Sequence, residues 1–342
     1  MIAGIGPAEL VAGVALGALT AYVLLGGADF GGGVWDLLAS GPRKREQRAQ
    51  IAEAIGPIWE ANHVWLIIVI VVLFTCFPVA FARLAIVLHI PLSLMLIGIV
   101  LRGSAFVFRS HYGHDPEPGD PGTSRRWGRV FAIASAGTPV LLGLCVGALA
   151  AGTLRPPGRA GFYEIYVAPW LTPFGVGVGL LTLALFAFLA AVYLTVEARE
   201  PALQEDFRRR ALGAAAAVFV TAFGTLGLAL LGAPLMGRGL TAAPWAPALH
   251  LVTGVAAVTA IWALWSRCFR LARVAAAAQV SLILWGWALA QYPYLVPPDL
   301  TIRAAAAPRI TLVLTLWTLG LGALVLFPSL IYLFRVFKPV PR

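Results

Sequence analysis

The stretch GGADFGGGVWD, residues 26–36, sets two carboxylates and five glycines inside a run that otherwise reads as a membrane helix. ALGALTAYVLLGG (15–27) leads into it and VWDLLAS (34–40) closes it. A carboxylate within a bilayer costs about 2.5–3.5 kcal/mol on insertion scales, so Asp29 marks function by default. Small residues four apart let membrane helices approach closely, which gives Gly27 and Gly31 a packing role on either side of Asp29. No strand precedes this stretch and no GK(S/T) follows it, so it is not a phosphate-binding loop.

The whole chain supports the membrane reading. Of its 342 residues 60% are hydrophobic and only 12% charged, where a soluble domain carries about 25% charged residues. Mean hydropathy is +0.87. A net charge of +10 would suggest nucleic acid in a soluble protein; here it sits in short loops and excludes that class. Cys76, Cys145 and Cys268 lie far apart, without a CxxC pair, and predict neither a metal site nor a disulfide framework. No basic n-region or cleavage motif opens the chain, so the first apolar run is expected to remain as a span.

About 20 residues cross the hydrocarbon as a helix. Nine candidate spans follow: 8–38, 49–76, 79–108, 127–152, 168–197, 208–232, 247–266, 271–292 and 309–336, in one polytopic domain over 1–342. Alternate loops divide the lysines and arginines 19 against 6. The basic side is the cytoplasm, which places the N-terminus outside and the C-terminus inside. The outer loops FYEIYVAPW, APWAPALH and YPYLVPPDL carry the aromatic residues of a membrane interface. No internal repeat is obvious, which weakens an inverted-repeat transporter.

The first two spans form a hairpin around GPRKREQR, with Asp29 and Asp36 on one and Glu53 and Glu60 on the other. Each pair is seven apart, about two helical turns, and so shares a face. In a regular antiparallel hairpin, residues at one depth have equal index sums. Asp36 with Glu53 and Asp29 with Glu60 both sum to 89. Two levels of acid are therefore expected, roughly 10 Å apart, with His63 one turn beyond Glu60 and Asn62 beside it. Burial and a neighbouring acid both favour the protonated carboxyl, which suggests a proton path entering from the cytoplasm. A headgroup location or pairing with loop arginines is the alternative for Asp36 and Glu53. His63 has three readings: proton carrier, haem ligand or hydrogen-bonded core histidine.

GADFGGG (27–33) resembles the GxDFGxG signature of subunit II of cytochrome bd-type quinol oxidases, and WEANHVWL (59–66) resembles that family's W(D/E)xNxVWL segment. LRGSAFVFR (101–109), TPVLLGLCVGALAAG (138–152), TPFGVGVGL (172–180) and YPYLVPP (292–298) fit in the same order. The resemblance implies nine helices as two four-helix bundles plus one peripheral helix. It implies a heterodimer with subunit I, which carries haem b, haem d and the quinol-oxidising loop, in the cytoplasmic membrane of a prokaryote. The complex oxidises quinol and reduces oxygen to water with cytoplasmic protons. Subunit II binds no haem or metal of its own on this reading. Some members hold a structural quinone, and a small single-helix accessory subunit and membrane lipid are further partners. Asp29 and Glu60 match motif acids, the latter implicated in the family's proton path, and Arg102 matches the arginine of the FR segment, which the resemblance puts near that path. Asp36 and Glu53 match no motif position. Ile58 stands where a polar residue is common, and His63 where glutamine is frequent. The competing classes are a proton-coupled secondary transporter and a purely structural subunit.

Overall fold

The computed structural model describes residues 4–55, 59–114, 121–155 and 161–337. It is built almost wholly of helices: α1 (Pro7–Leu37), α2 (Lys44–Ile55), α3 (Trp59–Cys76), α4 (Pro78–Val87), α5 (His89–His114), α6 (Pro121–Ala151), α7 (Phe162–Tyr166), α8 (Pro173–Glu197), α9 (Pro201–Gly232), α10 (Pro234–Ala242), α11 (Ala246–Trp265), α12 (Phe269–Gln291), α13 (Ile302–Ala305) and α14 (Arg309–Phe337). Strands β1 (Tyr294–Val296) and β2 (Leu300–Thr301) pair antiparallel in the α12–α14 connection. Among the described residues, eight helices are long and apolar enough to cross a membrane, or nine if α2 and α3 count as one bent span.

Two stretches expected as single spans differ. The 49–76 run is split: its axis turns by 52° between Lys44–Ile55 and Glu60–Cys76. The polar sequence KREQRAQIAEAI makes α2 amphipathic, and it buries only Gln47, Ile51 and Ile55. The 79–108 run divides into α4 and α5, because Leu88 leaves helical geometry before α5 begins at His89. At the other end of the chain, SRCFR does separate two helices. Arg267 adopts a left-handed φ of 59°, and the Cys268 amide donates to the Ala263 carbonyl at 2.8 Å. That conformation closes α11 and lets α12 return at once.

Helix α8 sits at the centre, with α1, α6, α9 and α12 packed on it; α5 packs on α6, α11 on α12, and α14 lies outside against α1 and α3. Glycines set how close α8 is approached. Gly143 and Gly147 of α6 meet Gly179 and Gly175 of α8, so close that added Cβ atoms would stand 2.5 Å and 2.7 Å from the opposing Cα atoms. On α1, a Cβ at Gly27 would lie 2.7 Å from the Phe186 ring, and one at Gly31 would run into the Phe186 backbone carbonyl. In a bilayer the gain from such contacts is van der Waals packing rather than water release. The Trp35 indole N–H donates to the Ala187 carbonyl at 2.7 Å and holds α1 and α8 in register.

Ion pairs among the described residues fall into two sets at opposite ends of the bundle. Arg83–Asp299 and Arg303–Glu9 tie the end that holds α4, α13 and the start of α1. There the Arg83 guanidinium holds the Asp299 carboxyl below its usual range. Arg43–Asp206, Arg199–Glu53, Arg208–Glu205, Arg267–Glu205 and Arg273–Glu197 tie the arginine-rich end. Buried Gln47 joins that network, giving a hydrogen bond to Asp206 at 2.8 Å and accepting one from Arg210 at 2.7 Å.

The glycine contacts predict opposite outcomes for one added methyl group. Gly31→Ala should lower the thermal stability of the purified protein by about 1–3 kcal/mol, since the obstructing atom is backbone. Gly13→Ala, where nothing lies within 4 Å, should be neutral or stabilising by up to about 1 kcal/mol. Thermal melts of the two variants in detergent check this.

Candidate functional site

Asp29 lies on α1 eight residues before its arginine-rich end, about 12 Å into the bundle at 1.5 Å per residue. Its side chain is buried, with the residue 5% exposed. The Asn62 side-chain amide of α3 donates to its Oδ2 at 2.6 Å. Arg102, 2% exposed on α5, lies within the electrostatic reach of Asp29. The Arg102 guanidinium sits over the Phe30 ring at 4.7 Å and the Phe131 ring at 5.5 Å. Its Nε and one terminal nitrogen have no hydrogen-bond partner among the described residues, so aromatic faces and the nearby carboxylate stand in for water. His63 packs edge-on to Tyr22 and tilted on Phe30, with ring centroids about 6 Å away.

Asn62 and His63, not Glu60, turn toward α1. Glu60 is exposed on the outer face of α3. Two residues along a helix rotate the side chain by about 200°, so Asn62 facing Asp29 directs Glu60 away. The shared level of Asp29 and Glu60 assumed a regular hairpin, and the 52° turn between α2 and α3 breaks that regularity. The same turn removes the common face expected for Glu53 and Glu60.

The second pair also separates. Asp36 is buried, with Arg48 Nε 3.8 Å from its carboxylate and donating to its backbone carbonyl at 3.1 Å. Glu53 projects from the polar helix α2, with its side chain 69% exposed and 4.0 Å from Arg199. Each of these two acids thus has an arginine close by. Ile58 lies outside the described residues. Arg102, assigned to a loop when charges were divided between the two sides, is instead inside α5.

Sequence reasoning missed a second feature. A cavity of about 100 Å³ opens beside Asp29 and Asn62 and continues to Tyr193, Glu197 and Arg273. Glu197 ends α8, and Arg273 is 3.6 Å from it. Two signals pointed there: an acid closing an apolar span, and an arginine two residues inside the 271–292 run.

Among the described residues, no group of three or more histidine, cysteine or carboxylate side chains could hold a metal. His89 contacts the Ile86 carbonyl at 2.9 Å and His250 the Leu240 carbonyl at 2.7 Å. The side chains of His111 and His114 lie outside the described residues.

Fold and site together define a polytopic helical membrane protein that buries a carboxylate, an amide and a guanidinium within its bundle. The chain belongs to the cytochrome bd terminal oxidase subunit II family, whose model matches residues 8–337. It is 36% identical over 93 residues to the cytochrome bd ubiquinol oxidase subunit 2 of Bacillus subtilis, and 30% over 87 residues to a putative cytochrome bd menaquinol oxidase subunit II of the same organism. These matches cover 27% and 25% of both this chain and the relative, so the chain aligns with about a quarter of each relative's length. The fold is similar to a chain of the bd oxidase from Geobacillus thermodenitrificans, with a TM-score of 0.80, 21% identity and coverage of 97% of this chain and 98% of that one.

The Asn62–Asp29 bond predicts a measurable coupling. Asn62→Leu should lower stability by about 1.5–3 kcal/mol, the range for a hydrogen bond to a charged group. In an Asp29→Asn background the same change should have a much smaller effect. Thermal melts of the four proteins of this double-mutant cycle check it.

Proposed function

We propose that this chain is the second subunit of a terminal oxidase that oxidises quinol and reduces oxygen to water in a prokaryotic cytoplasmic membrane. The family match over residues 8–337 carries the reading. The relatives' names divide between ubiquinol and menaquinol, so the reductant is proposed as a class, a quinol. Haem b, haem d and quinol oxidation belong to the partner, subunit I, where the haems supply the electron transfer to oxygen.

On this reading the chain has nine spans, with α2 and α3 sharing one. Spans one to four and five to eight form two bundles, and α14 is peripheral. The N-terminus is outside. The separation of ion pairs into two end sets favours this topology, because the arginines of each set were counted on the same side.

The chain's own contribution is structural support and proton supply. Each oxygen consumed takes four electrons and four protons and yields two waters. Asp29 is the buried carrier, taking a proton on its carboxylate and releasing it toward the partner. Asn62 orients it. Arg102 keeps the ionised form tolerable inside the bundle, since an opposite charge nearby offsets desolvation. Glu60, exposed on α3, passes protons toward subunit I on this reading. Asp36, Glu53 and His63 are secondary: the first two have arginines close by, and His63 packs on aromatic rings.

Purification of the tagged chain from membranes should bring down a haem-bearing partner with b- and d-type absorbance. Asp29→Asn and Glu60→Gln should keep that spectrum and lose most quinol-driven oxygen uptake. A colourless chain that transports a solute alone would replace this reading with the transporter. Unchanged turnover in both variants would leave only the structural role.

A further inference from the structure

The cavity beside Asp29 is not explained by packing. Asp29, Asn62, Tyr193, Glu197 and Arg273 line it together with small or apolar residues, Ala54 among them. A volume of about 100 Å³ holds roughly three waters at about 30 Å³ each, and each water needs 2–4 polar partners. The polar lining residues supply such partners. Asp29 is buried, whereas the side chains of Glu197 and Arg273 are 24% and 44% exposed. The cavity therefore connects a buried carboxylate to groups at the surface of the arginine-rich end. Neither Glu53, Glu60 nor Asp36 lines it.

We propose that this cavity is the hydrated intake through which protons reach Asp29, with Glu197 as collector and Arg273 as its movable cover. The inference rests on the reading of Asp29 as a proton carrier. Glu197 takes a proton from surface water. The enclosed waters relay it, and Asp29 carboxylate becomes the acid as Glu197 returns to carboxylate. One proton moves inward, and nothing is oxidised or reduced. The Glu197–Arg273 contact of 3.6 Å is partly exposed, and such pairs are worth at most about 1 kcal/mol. Opening the mouth is therefore easy. Arg273 also stacks over the Tyr193 ring at 4.9 Å, which gives it a defined resting position beside the opening. The titratable and charged groups facing the route are Asp29, Tyr193, Glu197 and Arg273.

The test uses the assembled complex in sealed vesicles. Proton uptake from the cytoplasmic side is followed by a pH dye during a single turnover, with haem content as the assembly control. Glu197→Gln and Ala54→Phe should each slow uptake by roughly tenfold or more, with haem content intact. Glu197→Asp should restore it. Glu200→Gln, at an exposed residue outside the cavity, should leave it unchanged. If Ala54→Phe does not assemble, the Gln and Asp variants at 197 decide. Wild-type uptake in Glu197→Gln, with slow uptake in Asp29→Asn, overturns the intake and leaves Asp29 as carrier. Wild-type uptake in Asp29→Asn removes the carrier reading and the intake with it.

Discussion

A carboxylate held away from water must be matched by donors and positive charge, or else become neutral. The surroundings of Asp29 follow from that requirement. One oxygen accepts from Asn62, and the charge of Arg102 acts across the same interior. Arg102 in turn is buried with part of its guanidinium lacking hydrogen-bond partners among the described residues. It rests on Phe30 and Phe131 instead. Each buried ion is made tolerable by a neighbour that would be unfavourable alone. Such a cluster is weak evidence for stability, since apolar replacements of buried ion pairs are often neutral or stabilising.

The glycines fix where that cluster can sit. Gly31 brings the α1 backbone against the Phe186 carbonyl of α8, and Gly143 and Gly147 bring α6 against the same helix. With α8 gripped from two sides, the space left at the α1–α8–α12 junction is small and well defined. Around Asp29 the wall residues are Ala28, Gly32, Ala54 and Ala190. Larger side chains would close the cavity. A more distant helix would open it to lipid. Close packing and a narrow polar passage are thus two results of one choice of small residues.

Much of this was visible in the sequence, though unevenly. Depth and glycine spacing singled out Asp29, Gly27 and Gly31, and motif order singled out Arg102. Equal glycines could not be told apart, however: Gly13 meets nothing within 4 Å while Gly31 meets backbone. Partner assignment went astray for both acid pairs. Index sums paired Asp29 with Glu60, but α2 and α3 do not share an axis, and Asn62 took the position. Glu197 and Arg273 lie on spans distant in sequence from Asp29. No local periodicity could bring them to it, because only the packing of α1, α8 and α12 does so.

The sidedness of the cavity matters as much as its contents. Its outer residues, Glu197 and Arg273, belong to the arginine-rich end, where Arg199–Glu53 and Arg267–Glu205 also lie. The opposite end is tied by Arg83–Asp299 and Arg303–Glu9. Between Asp29 and that far end, α1 continues for more than 20 residues through apolar contacts, with Val11 and Tyr22 fully buried. On the proposed route a proton would meet an acid eight residues from the arginine-rich end of α1 and then apolar packing. A passage that ends on a titratable group inside the bundle lets protons be consumed from one side without leaking through to the other. Charge separation in such a system needs no conformational pump: it follows from where the polar residues stop.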